Sequence, residues 1–501
     1  MRVAAVRARG NGERIIDKNS YHYPDVKLFI AGEWRNARDA GVMVVRDPAT
    51  GAEIGTVACA TRFDIEQAVV AADTGFSQWC EFGPHERAKV LGKAAELLRE
   101  RADEIAWLLT REQGKPFTES VTEVHGSADI TDWLAAQGQR TFGRVIPSRK
   151  ANVMQYTIKL PVGPVATFTP WNFPVSQVAI KLAAALAAGC SVVVKAPEET
   201  PASPAALIRV FIDAGVPPNV ISLLYGKPDD ISVFLISHPN IAAVSFTGST
   251  RVGKHLASLA GQHMKRATME LGGHAPVLVF ADADMDTAIE TLVAAKFRNA
   301  GQVCASPTRF LVQEEIADVF SERFVSAARA LRIGEGLQRD VQMGPLANER
   351  RVLALEELLA NAIEHGAELL TGGERLGDRG NFFAPTVLIN APETARIMNE
   401  EPFGPVAVIN RFKTLDDAIY EANRIPYGLA SYAFSRSAAT IHAVSTRVIA
   451  GMTTINHNGL GLPEVPFGGV RDSGYGEEGG ADALDSYLIS KFVSTAFDSD
   501  I

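Results

Sequence analysis

The sequence is poor in cysteine and has no uninterrupted hydrophobic run long enough to cross a membrane. The four cysteines lie at wide, irregular spacing: Cys59, Cys80, Cys190 and Cys304. Such spacing fits neither a metal-ligand motif nor a disulfide framework. We therefore expect a reduced, cytoplasmic protein with no catalytic metal and no membrane partner.

An excess of positive charge is also absent. Lysine and arginine number 49 against 58 aspartates and glutamates, which gives a formal net charge of -9. This balance leaves no basic signature for binding nucleic acid. The hydrophobic fraction of 47% and the charged fraction of 21% are typical of globular proteins. A chain of 501 residues exceeds one ordinary domain.

The amino-terminal segment has several arginines but no apolar signal core. It also has no serine before Ser20, which sets it apart from a typical organelle transit peptide. We expect residues 1–25 to form a loose arm that precedes the folded domains.

Two helices are predicted before residue 113. Asp64 is a suitable N-cap for a helix that reaches about Thr74, and Gln67 is placed to complete a capping box. Residues 87–112 place apolar side chains on one face at helical spacing, which predicts a single long helix.

Short β-branched runs then alternate with helical periodicity. We predict strands at residues 162–168, 191–195, 220–224 and 241–246, and helices at residues 177–188 and 203–214. A second set has strands at residues 277–280 and 310–312 and helices at residues 285–299 and 317–330. This β-α-β-α order predicts parallel sheets with helices on both faces.

A thiol and a distant carboxylate, each close to glycine, are the most informative residues of the chain. Cys304 follows Gly301, and Glu270 precedes Gly272 and Gly273. Glycine permits tight turns and a close approach of backbone to a ligand. A thiolate can attack a carbonyl carbon, and a carboxylate can activate the thiol or a water molecule. Taken alone, a buried structural cysteine and a solvated glutamate would be the commoner interpretation.

Seven short blocks in a fixed order change that interpretation. They are Thr169–Pro174, Lys195–Glu198, Phe246–Thr250, Met269–Gly273, Gly301–Ser306, Glu401–Pro405 and Pro466–Gly469. On these blocks the chain resembles the aldehyde dehydrogenase superfamily from about residue 30 onward, with succinate-semialdehyde dehydrogenases as the nearest group. The resemblance implies an enzyme that oxidises a small-molecule aldehyde with NAD.

The resemblance also implies the architecture. It predicts an α/β fold with a variant Rossmann NAD-binding domain, an α/β catalytic domain and a small β oligomerisation arm. The expected ranges are 26–150 and 162–271 for the NAD-binding domain, 272–470 for the catalytic domain, and 151–161 with 484–501 for the arm. Two segments with alternating apolar and polar residues, 151–160 and 486–493, fit this arm. The expected assembly is a homodimer or a homotetramer.

The predicted cofactor site begins at Gly248 and Ser249, which follow a predicted strand and open a helix. Backbone N–H groups at such a helix start can hold a pyrophosphate, although this is not the usual fingerprint of three close glycines. At Glu198, a carboxylate can accept hydrogen bonds from ribose hydroxyls and would repel a 2′-phosphate, so we expect NAD over NADP. The resemblance assigns cofactor binding to Thr169, Pro170, Trp171, Lys195, Glu198, Gly248, Ser249, Gly253, Leu271, Glu401 and Phe403.

The predicted chemistry follows from what aldehyde oxidation requires. Cys304 forms a thiohemiacetal, hydride passes to the nicotinamide, and Glu270 activates the water that hydrolyses the resulting thioester. By resemblance, the side-chain amide of Asn172 and the backbone N–H of Cys304 form the oxyanion hole. Lys181 and Glu478 match positions of a proton relay in relatives, but residues of these types are usually solvated, so we do not count them as catalytic.

The predicted substrate pocket is carried over by the same resemblance. Its residues are Phe173, Gln177, Arg298, Val303, Ala305 and Leu462. The guanidinium of Arg298 suits a carboxylate, which favours an acidic semialdehyde such as succinate semialdehyde. Ile180 stands where such enzymes often have a second arginine, so an aromatic or aliphatic aldehyde is the alternative. A coenzyme A-acylating enzyme is disfavoured by Glu270, and a non-catalytic structural relative by the presence of Cys304 with Glu270.

Overall fold

The computed structural model describes residues 21–497. Most of the predicted amino-terminal arm and the last four residues of the predicted oligomerisation arm lie outside this range. The end of the amino-terminal arm is not loose, because the Tyr21 ring lies 5.7 Å from that of Trp107 and the Tyr23 hydroxyl donates to Glu112. No helix among the described residues has the length and apolar composition needed to cross a membrane.

Twenty strands and thirteen helices make up the described chain. The strands are β1 (Leu28–Ile30), β2 (Glu33–Arg35), β3 (Val42–Arg46), β4 (Glu53–Ala58), β5 (Val145–Ile146), β6 (Val153–Pro161), β7 (Val165–Phe168), β8 (Val192–Lys195), β9 (Ile221–Leu224), β10 (Ala243–Thr247), β11 (Arg266–Glu270), β12 (Ala275–Val279), β13 (Pro307–Gln313), β14 (Glu368–Thr371), β15 (Thr386–Ile389), β16 (Val406–Phe412), β17 (Ala430–Phe434), β18 (Met452–Ile455), β19 (Gly474–Tyr475) and β20 (Leu488–Ala496). The helices are α1 (Arg62–Trp79), α2 (Pro84–Glu100), α3 (Ala102–Gln113), α4 (Phe117–Gly138), α5 (Pro174–Ala188), α6 (Ala202–Asp213), α7 (Pro228–Ser237), α8 (Thr250–Gln262), α9 (Met285–Phe297), α10 (Ala317–Arg329), α11 (Glu349–Glu364), α12 (Leu415–Asn423) and α13 (Ala438–Arg447).

The first sheet has eight strands in the order β19-β11-β10-β7-β8-β9-β1-β2. Its five central strands, β11 to β9 in this order, are parallel, which confirms the predicted alternation. The chain runs outward from β7 through β8 to β9, and then returns to place β10 on the other side of β7. The strand order therefore reverses between β7 and β10. In open α/β sheets, ligands bind outside the carboxyl ends of the strands at such a reversal.

The second sheet has seven strands in the order β14-β15-β16-β13-β12-β17-β18, and all but the β14–β15 pair are parallel. Buried apolar side chains fall into two large clusters. One gathers residues 26–271 with residues 483–488, and the other gathers residues 275–452. The clusters meet near the predicted boundary between residues 271 and 272, although the division into domains stays a prediction.

A third, three-stranded sheet joins β5, β6 and β20 in antiparallel fashion. It lies where the sequence predicted an arm of two extended segments. A short edge strand, β19, was not predicted: it pairs antiparallel with β11, with Tyr475 opposite Met269 and Gly474 opposite Glu270. A segment close to the end of the chain thus covers the edge of the first sheet beside Glu270.

Both helices predicted before residue 113 have other bounds in the structure. Helix α1 has Thr61, not Asp64, as its N-cap, because the Asp64 carboxylate turns back to accept from Thr61 and also pairs with Arg35 at 2.6 Å. The single helix predicted for residues 87–112 is two helices, which break at Arg101, where the backbone leaves helical geometry at φ -100° and ψ 13°. Apolar spacing continues across the break, so periodicity alone cannot detect it.

Candidate active site

A left-handed turn precedes Cys304. Helix α9 ends at Phe297, earlier than the predicted Asn299, and three successive residues then adopt positive φ: 49° at Asn299, 53° at Ala300 and 72° at Gly301. A Cβ atom at Gly301 would lie 2.0 Å from the carbonyl oxygen of Gly404, so this position requires glycine. The turn reverses the chain and delivers Cys304 to the space between the two sheets.

The Cys304 thiol is half-buried and lines a cavity of about 250 Å³. Burial raises its pKa well above that of an ordinary cysteine, and the nearby carboxyl groups of Glu270 and Glu401 raise it further. A thiol in this environment keeps its proton at neutral pH. Its use as a nucleophile therefore requires a neighbouring group that accepts the proton as the thiol attacks.

Glu270 ends β11 and is 2% exposed. Neither of its carboxylate oxygens has a hydrogen-bond partner among the described residues. Burial raises the pKa of Glu270 well above its usual value, Glu478 adds to this effect, and the Lys181 cation opposes it. A buried carboxyl group with a raised pKa and no hydrogen-bond partner among the described residues is suited to accept and release protons.

Lys181 and Glu478 are not solvated, which corrects the expectation for these residue types. They are 1% and 6% exposed and form a buried ion pair. Lys181 Nζ also donates to Thr247 Oγ1 at 2.6 Å, and Ser245 Oγ donates to Glu478 Oε1 at 3.3 Å. The pair lies within electrostatic range of Glu270, so these charges belong to the site.

Asn172 lies in the loop between β7 and α5 and is buried. Its Nδ2 donates to the carbonyl oxygen of Gln302 at 3.0 Å. An amide nitrogen carries two hydrogens, so one N–H of Asn172 is still free to donate to a substrate oxygen. The oxyanion hole expected from this amide and the backbone N–H of Cys304 stays a prediction. Asn172 does contact Gln302, two residues before Cys304.

The predicted cofactor residues lie at the carboxyl edge of the first sheet, around the reversal between β7 and β10. Thr169, Pro170 and Trp171 follow β7, and Gly248 and Ser249 follow β10. Ser249 is the N-cap of α8, but its side chain makes no capping hydrogen bond. The first backbone N–H groups of α8 are thus available to an anion, which fits the pyrophosphate of a dinucleotide.

Lys195 and Glu198 lie at the end of β8 and form an ion pair at 2.5 Å. Both are nearly buried, and Glu198 also accepts from the N–H of Gly226 at 3.2 Å. Gly253 of α8 lies against Leu271, since a Cβ atom there would be 2.1 Å from the leucine side chain. The contact between Gly253 and Leu271 brings α8 and the end of β11 together at the edge where a dinucleotide would bind.

Glu401 and Phe403 approach the same crevice from the second sheet. Glu401 Oε1 accepts from the N–H of Gly273 at 3.3 Å, and burial raises the pKa of Glu401 to about 8. Phe403 has a positive φ of 42°, and its ring meets Trp171 edge to face at 5.6 Å. A carboxyl group and an aromatic ring at this place fit a ribose and a nicotinamide ring.

All six predicted substrate residues line the Cys304 cavity: Phe173, Gln177, Arg298, Val303, Ala305 and Leu462. Arg298 is exposed and forms no direct ion pair with another described residue, although its cation lies close enough to Glu119 to oppose the rise that burial causes in the pKa of that carboxyl group. Its guanidinium carbon lies 5.0 Å from the centre of the Phe173 ring. The rest of the wall is largely apolar and includes Ile130, Leu134, Ile180, Leu460 and Phe467.

Sequence reasoning missed the contribution of α4 to this cavity. Thr122, Glu123 and Gly126 line it, as do Tyr432 of β17 and Asn458. No spacing in the sequence marks these residues as functional. They become visible only when packing brings α4 against α5 and the second sheet.

Comparison with known proteins identifies relatives over almost the whole chain. The sequence profile of the aldehyde dehydrogenase family matches residues 34–493. The chain is 46% identical over 473 residues to a 4-(hydroxymethyl)benzenesulfonate dehydrogenase of Comamonas testosteroni, covering 94% of this chain and 98% of that protein. It is 38% identical over 467 residues to the NADP(+) succinate-semialdehyde dehydrogenase of Escherichia coli (strain K12), covering 93% and 97%. The crystal structure of a succinate-semialdehyde dehydrogenase from Burkholderia pseudomallei is similar with a TM-score of 0.93 at 38% identity, covering 94% of this chain and 98% of that one.

Proposed function

The chain belongs to the aldehyde dehydrogenase family, whose members are oxidoreductases acting on aldehydes, and we propose that it oxidises its aldehyde through a covalent bond to Cys304. One observation carries this proposal. The Cys304 thiol lines a cavity of about 250 Å³, and the carboxyl group of Glu270, which has no hydrogen-bond partner among the described residues, lies close enough to raise the pKa of that thiol. Nucleophile and base therefore lie together beside the crevice of the first sheet.

Each residue of the site has a separate role in the proposed reaction. Cys304 Sγ passes its proton to the Glu270 carboxylate and bonds to the carbonyl carbon, while Asn172 Nδ2 and the Cys304 N–H hold the oxyanion. A nicotinamide dinucleotide, when bound, supplies the oxidant that takes the hydride from this carbon. Glu270 then accepts a proton from the water that attacks the thioester, and the carboxylic acid leaves Cys304.

Glu270 accepts a proton twice in this sequence and must release the first one before the second. The buried pair Lys181 and Glu478 lies behind it, with Ser245 hydrogen-bonded to Glu478. Glu478 also lines the cavity, and both charges act on the pKa of Glu270, so this pair is placed to exchange a proton with it.

Cys304→Ala is expected to lower aldehyde-dependent NADH formation by at least about a thousandfold, because the nucleophile is lost. Calorimetric titration should show unchanged dinucleotide affinity, since Cys304 does not hold the cofactor. Turnover that survives the substitution would show that another residue is the nucleophile. The assay is run with and without coenzyme A, because a requirement for coenzyme A would indicate an acylating enzyme instead.

Glu270→Gln is expected to lower the steady-state rate about 10²- to 10⁴-fold, because the thioester lacks a base for hydrolysis. Only the ionised carboxylate is a base, and the pKa of Glu270 is raised. The wild-type rate should thus rise with pH through that pKa, and the rate of the variant should not. Stopped-flow absorbance at the NADH band over a pH series measures both effects. If the variant kept the pH profile of the wild type, Glu270 would not be the base of this mechanism.

We further propose that NAD is preferred over NADP. Glu198 lies at the end of β8, where the ribose of the adenosine is expected, and its carboxylate is held by Lys195 and by the N–H of Gly226. A fixed carboxylate accepts hydrogen bonds from both ribose hydroxyls and repels a 2′-phosphate. The family includes an enzyme named for NADP(+), so the preference is set by individual residues.

Glu198→Gln keeps the size of the side chain, removes its charge and frees Lys195. We expect kcat/KM with NADP to rise about tenfold or more while kcat/KM with NAD falls, because a charge repulsion of this kind is worth about 1.4 kcal/mol or more. The matched control is Glu199→Gln, whose carboxylate pairs with Arg350 on the outer surface. Equal NAD and NADP kinetics in the unmodified enzyme would contradict the preference.

The substrate that we propose is an aldehyde with an anionic group remote from its carbonyl. Arg298 lines the cavity and forms no direct ion pair with another described residue, so its guanidinium can bind a carboxylate or a sulfonate. One relative is named for succinate semialdehyde, which belongs to this class, and another for 4-(hydroxymethyl)benzenesulfonate, an anionic aromatic alcohol whose oxidation would give an aldehyde of this class. The apolar wall and the single arginine, with Ile180 across the cavity, favour an aromatic aldehyde over a short linear one.

Arg298→Gln tests this class with matched pairs of aldehydes. For 4-formylbenzenesulfonate and succinate semialdehyde, kcat/KM should fall about tenfold to a hundredfold, as expected for loss of a charged hydrogen bond. For benzaldehyde and butanal, which lack the anion, it should hardly change. Equal losses with charged and neutral aldehydes would refute the anion site. The better of the two anionic substrates in the unmodified enzyme decides between the aromatic and the linear candidate.

We also propose that the sheet of β5, β6 and β20 pairs subunits. Large apolar side chains in and beside it are exposed, including Phe142 at 74%, Val145 at 77% and Phe492 at 55%. Exposed apolar surface of this kind marks an interface. Sedimentation equilibrium should give two or four protomers, and Phe142→Ser combined with Phe492→Ser should shift the enzyme toward smaller species. Val319→Ser, at an exposed apolar position on α10, is the control; a monomeric wild type would overturn the proposal.

A further inference from the structure

The backbone carbonyl of Asn172 accepts two hydrogen bonds from distant parts of the chain. Lys115 Nζ donates to it at 2.7 Å, and Asn299 Nδ2 donates to it at 3.0 Å. All three residues are buried. Two donors fix the orientation of the peptide plane, and the direction of the Asn172 side chain follows from that of its backbone.

Lys115 is a buried cation whose partner is Glu123. Their side chains are 0% and 1% exposed, and the distance from Nζ to Oε2 is 2.6 Å. The ammonium also lies 3.9 Å from the centre of the Phe173 ring. A buried ion pair gains little stability over an apolar pair, because both charges lose their hydration. What this pair visibly provides is a fixed position for Asn172 and Phe173.

Glu123 completes the restraint on the start of α5. Phe173 occupies the N-cap position and offers no side-chain acceptor to the helix. Glu123 Oε1 instead accepts from the N–H groups of Val175 at 2.9 Å and Ser176 at 3.2 Å. A carboxylate of α4 thus takes the place of a local cap. Lys115 and Glu123 together hold the chain on both sides of Phe173.

Asn299 connects Asn172 to the left-handed turn that precedes Cys304. Its Oδ1 accepts from Gln113 Nε2 at 2.8 Å, and its Nδ2 also lies 3.2 Å from the carbonyl oxygen of Gln302. That oxygen accepts from Asn172 Nδ2 as well, at 3.0 Å. A closed set of hydrogen bonds therefore links Asn172 to the backbone two residues before Cys304.

We propose that Lys115 and Asn299 are positioning residues for aldehyde oxidation: they set the Asn172 amide at a fixed place relative to Cys304, so that the substrate oxygen meets its donors as the sulfur attacks. Neither residue lines the cavity, so each acts through Asn172. The inference rests on the proposed function, which gives Asn172 and Cys304 their roles. A misplacement of about 1 Å in such a site costs about a hundredfold in rate.

The first test combines Lys115→Met with Glu123→Gln. Methionine keeps the unbranched stem, and glutamine keeps an oxygen for the Val175 and Ser176 N–H groups without leaving a lone buried charge. We expect kcat to fall about tenfold to a hundredfold while KM for the dinucleotide changes less than about threefold. A change in KM for the aldehyde does not bear on the proposal, because Glu123 also lines the cavity. An unchanged kcat, or a loss expressed only in KM, would overturn the proposal.

A mutant cycle separates positioning from general support of the fold. In an Asn172→Ala background, Lys115→Met with Glu123→Gln should cause no further loss of kcat, because the group that they position is gone. Losses that multiply would show that Lys115 does not act through Asn172. Asn299→Asp gives an independent second case, since aspartate tolerates the left-handed backbone but replaces the two donated bonds with a repelling carboxylate.

Asp64→Asn is the control for stability. This buried carboxylate accepts from Thr61, the N-cap of α1, and pairs with Arg35, remote from the cavity residues, so its loss should lower the melting temperature without lowering kcat. Wild type and Cys304→Ala are assayed beside all variants. If these two have the same aldehyde-dependent rate, the proposed function fails. If they differ and the Lys115 and Asn299 variants retain wild-type kcat, only the positioning role fails.

Discussion

The site depends on a backbone contact between Gly301 and Gly404. The left-handed turn from Asn299 to Gly301 presses against the Gly404 carbonyl so closely that no side chain fits between them. Gly404 directly follows Phe403, which is itself left-handed and faces Trp171. The loop that carries the nucleophile and the loop that faces the nicotinamide side of the crevice are therefore one packed unit. Neither can move without the other.

Buried charges in and around the cavity are of two kinds. Lys195 with Glu198 and Lys181 with Glu478 are compensated ion pairs, which hold their positions at the edge of the first sheet. Glu270 is different, because it is buried without a hydrogen-bond partner among the described residues and with a raised pKa. A carboxyl group left in this state stores unfavourable free energy that a proton or a ligand can relieve. The contrast supports the proposed role of Glu270 as the base.

The sequence alone predicted the fold class, the alternating parallel sheets and the family, because motif order and periodicity are local properties. It failed where contacts between distant segments decide. The N-cap of α1 is Thr61 because Arg35 competes for the Asp64 carboxylate, and Lys181 is buried because Glu478, 297 residues away, neutralises it. Glu123 of α4, which accepts from the first N–H groups of α5, belongs to no sequence motif. The roles of the predicted site residues stay predictions, although packing brings them into one cavity and one crevice.

The short edge strand β19 gives the carboxyl-terminal segment a part in building the centre of the enzyme. Ser473 Oγ donates to the Gly272 carbonyl, 201 residues away, and the Leu271 N–H donates to the Ser473 carbonyl. The edge of the strand that ends at Glu270 is thus closed only when segments 201 residues apart in the sequence have come together. Contacts of such long sequence separation form late in folding. The surroundings of this carboxyl group are therefore among the last parts of the fold to be completed.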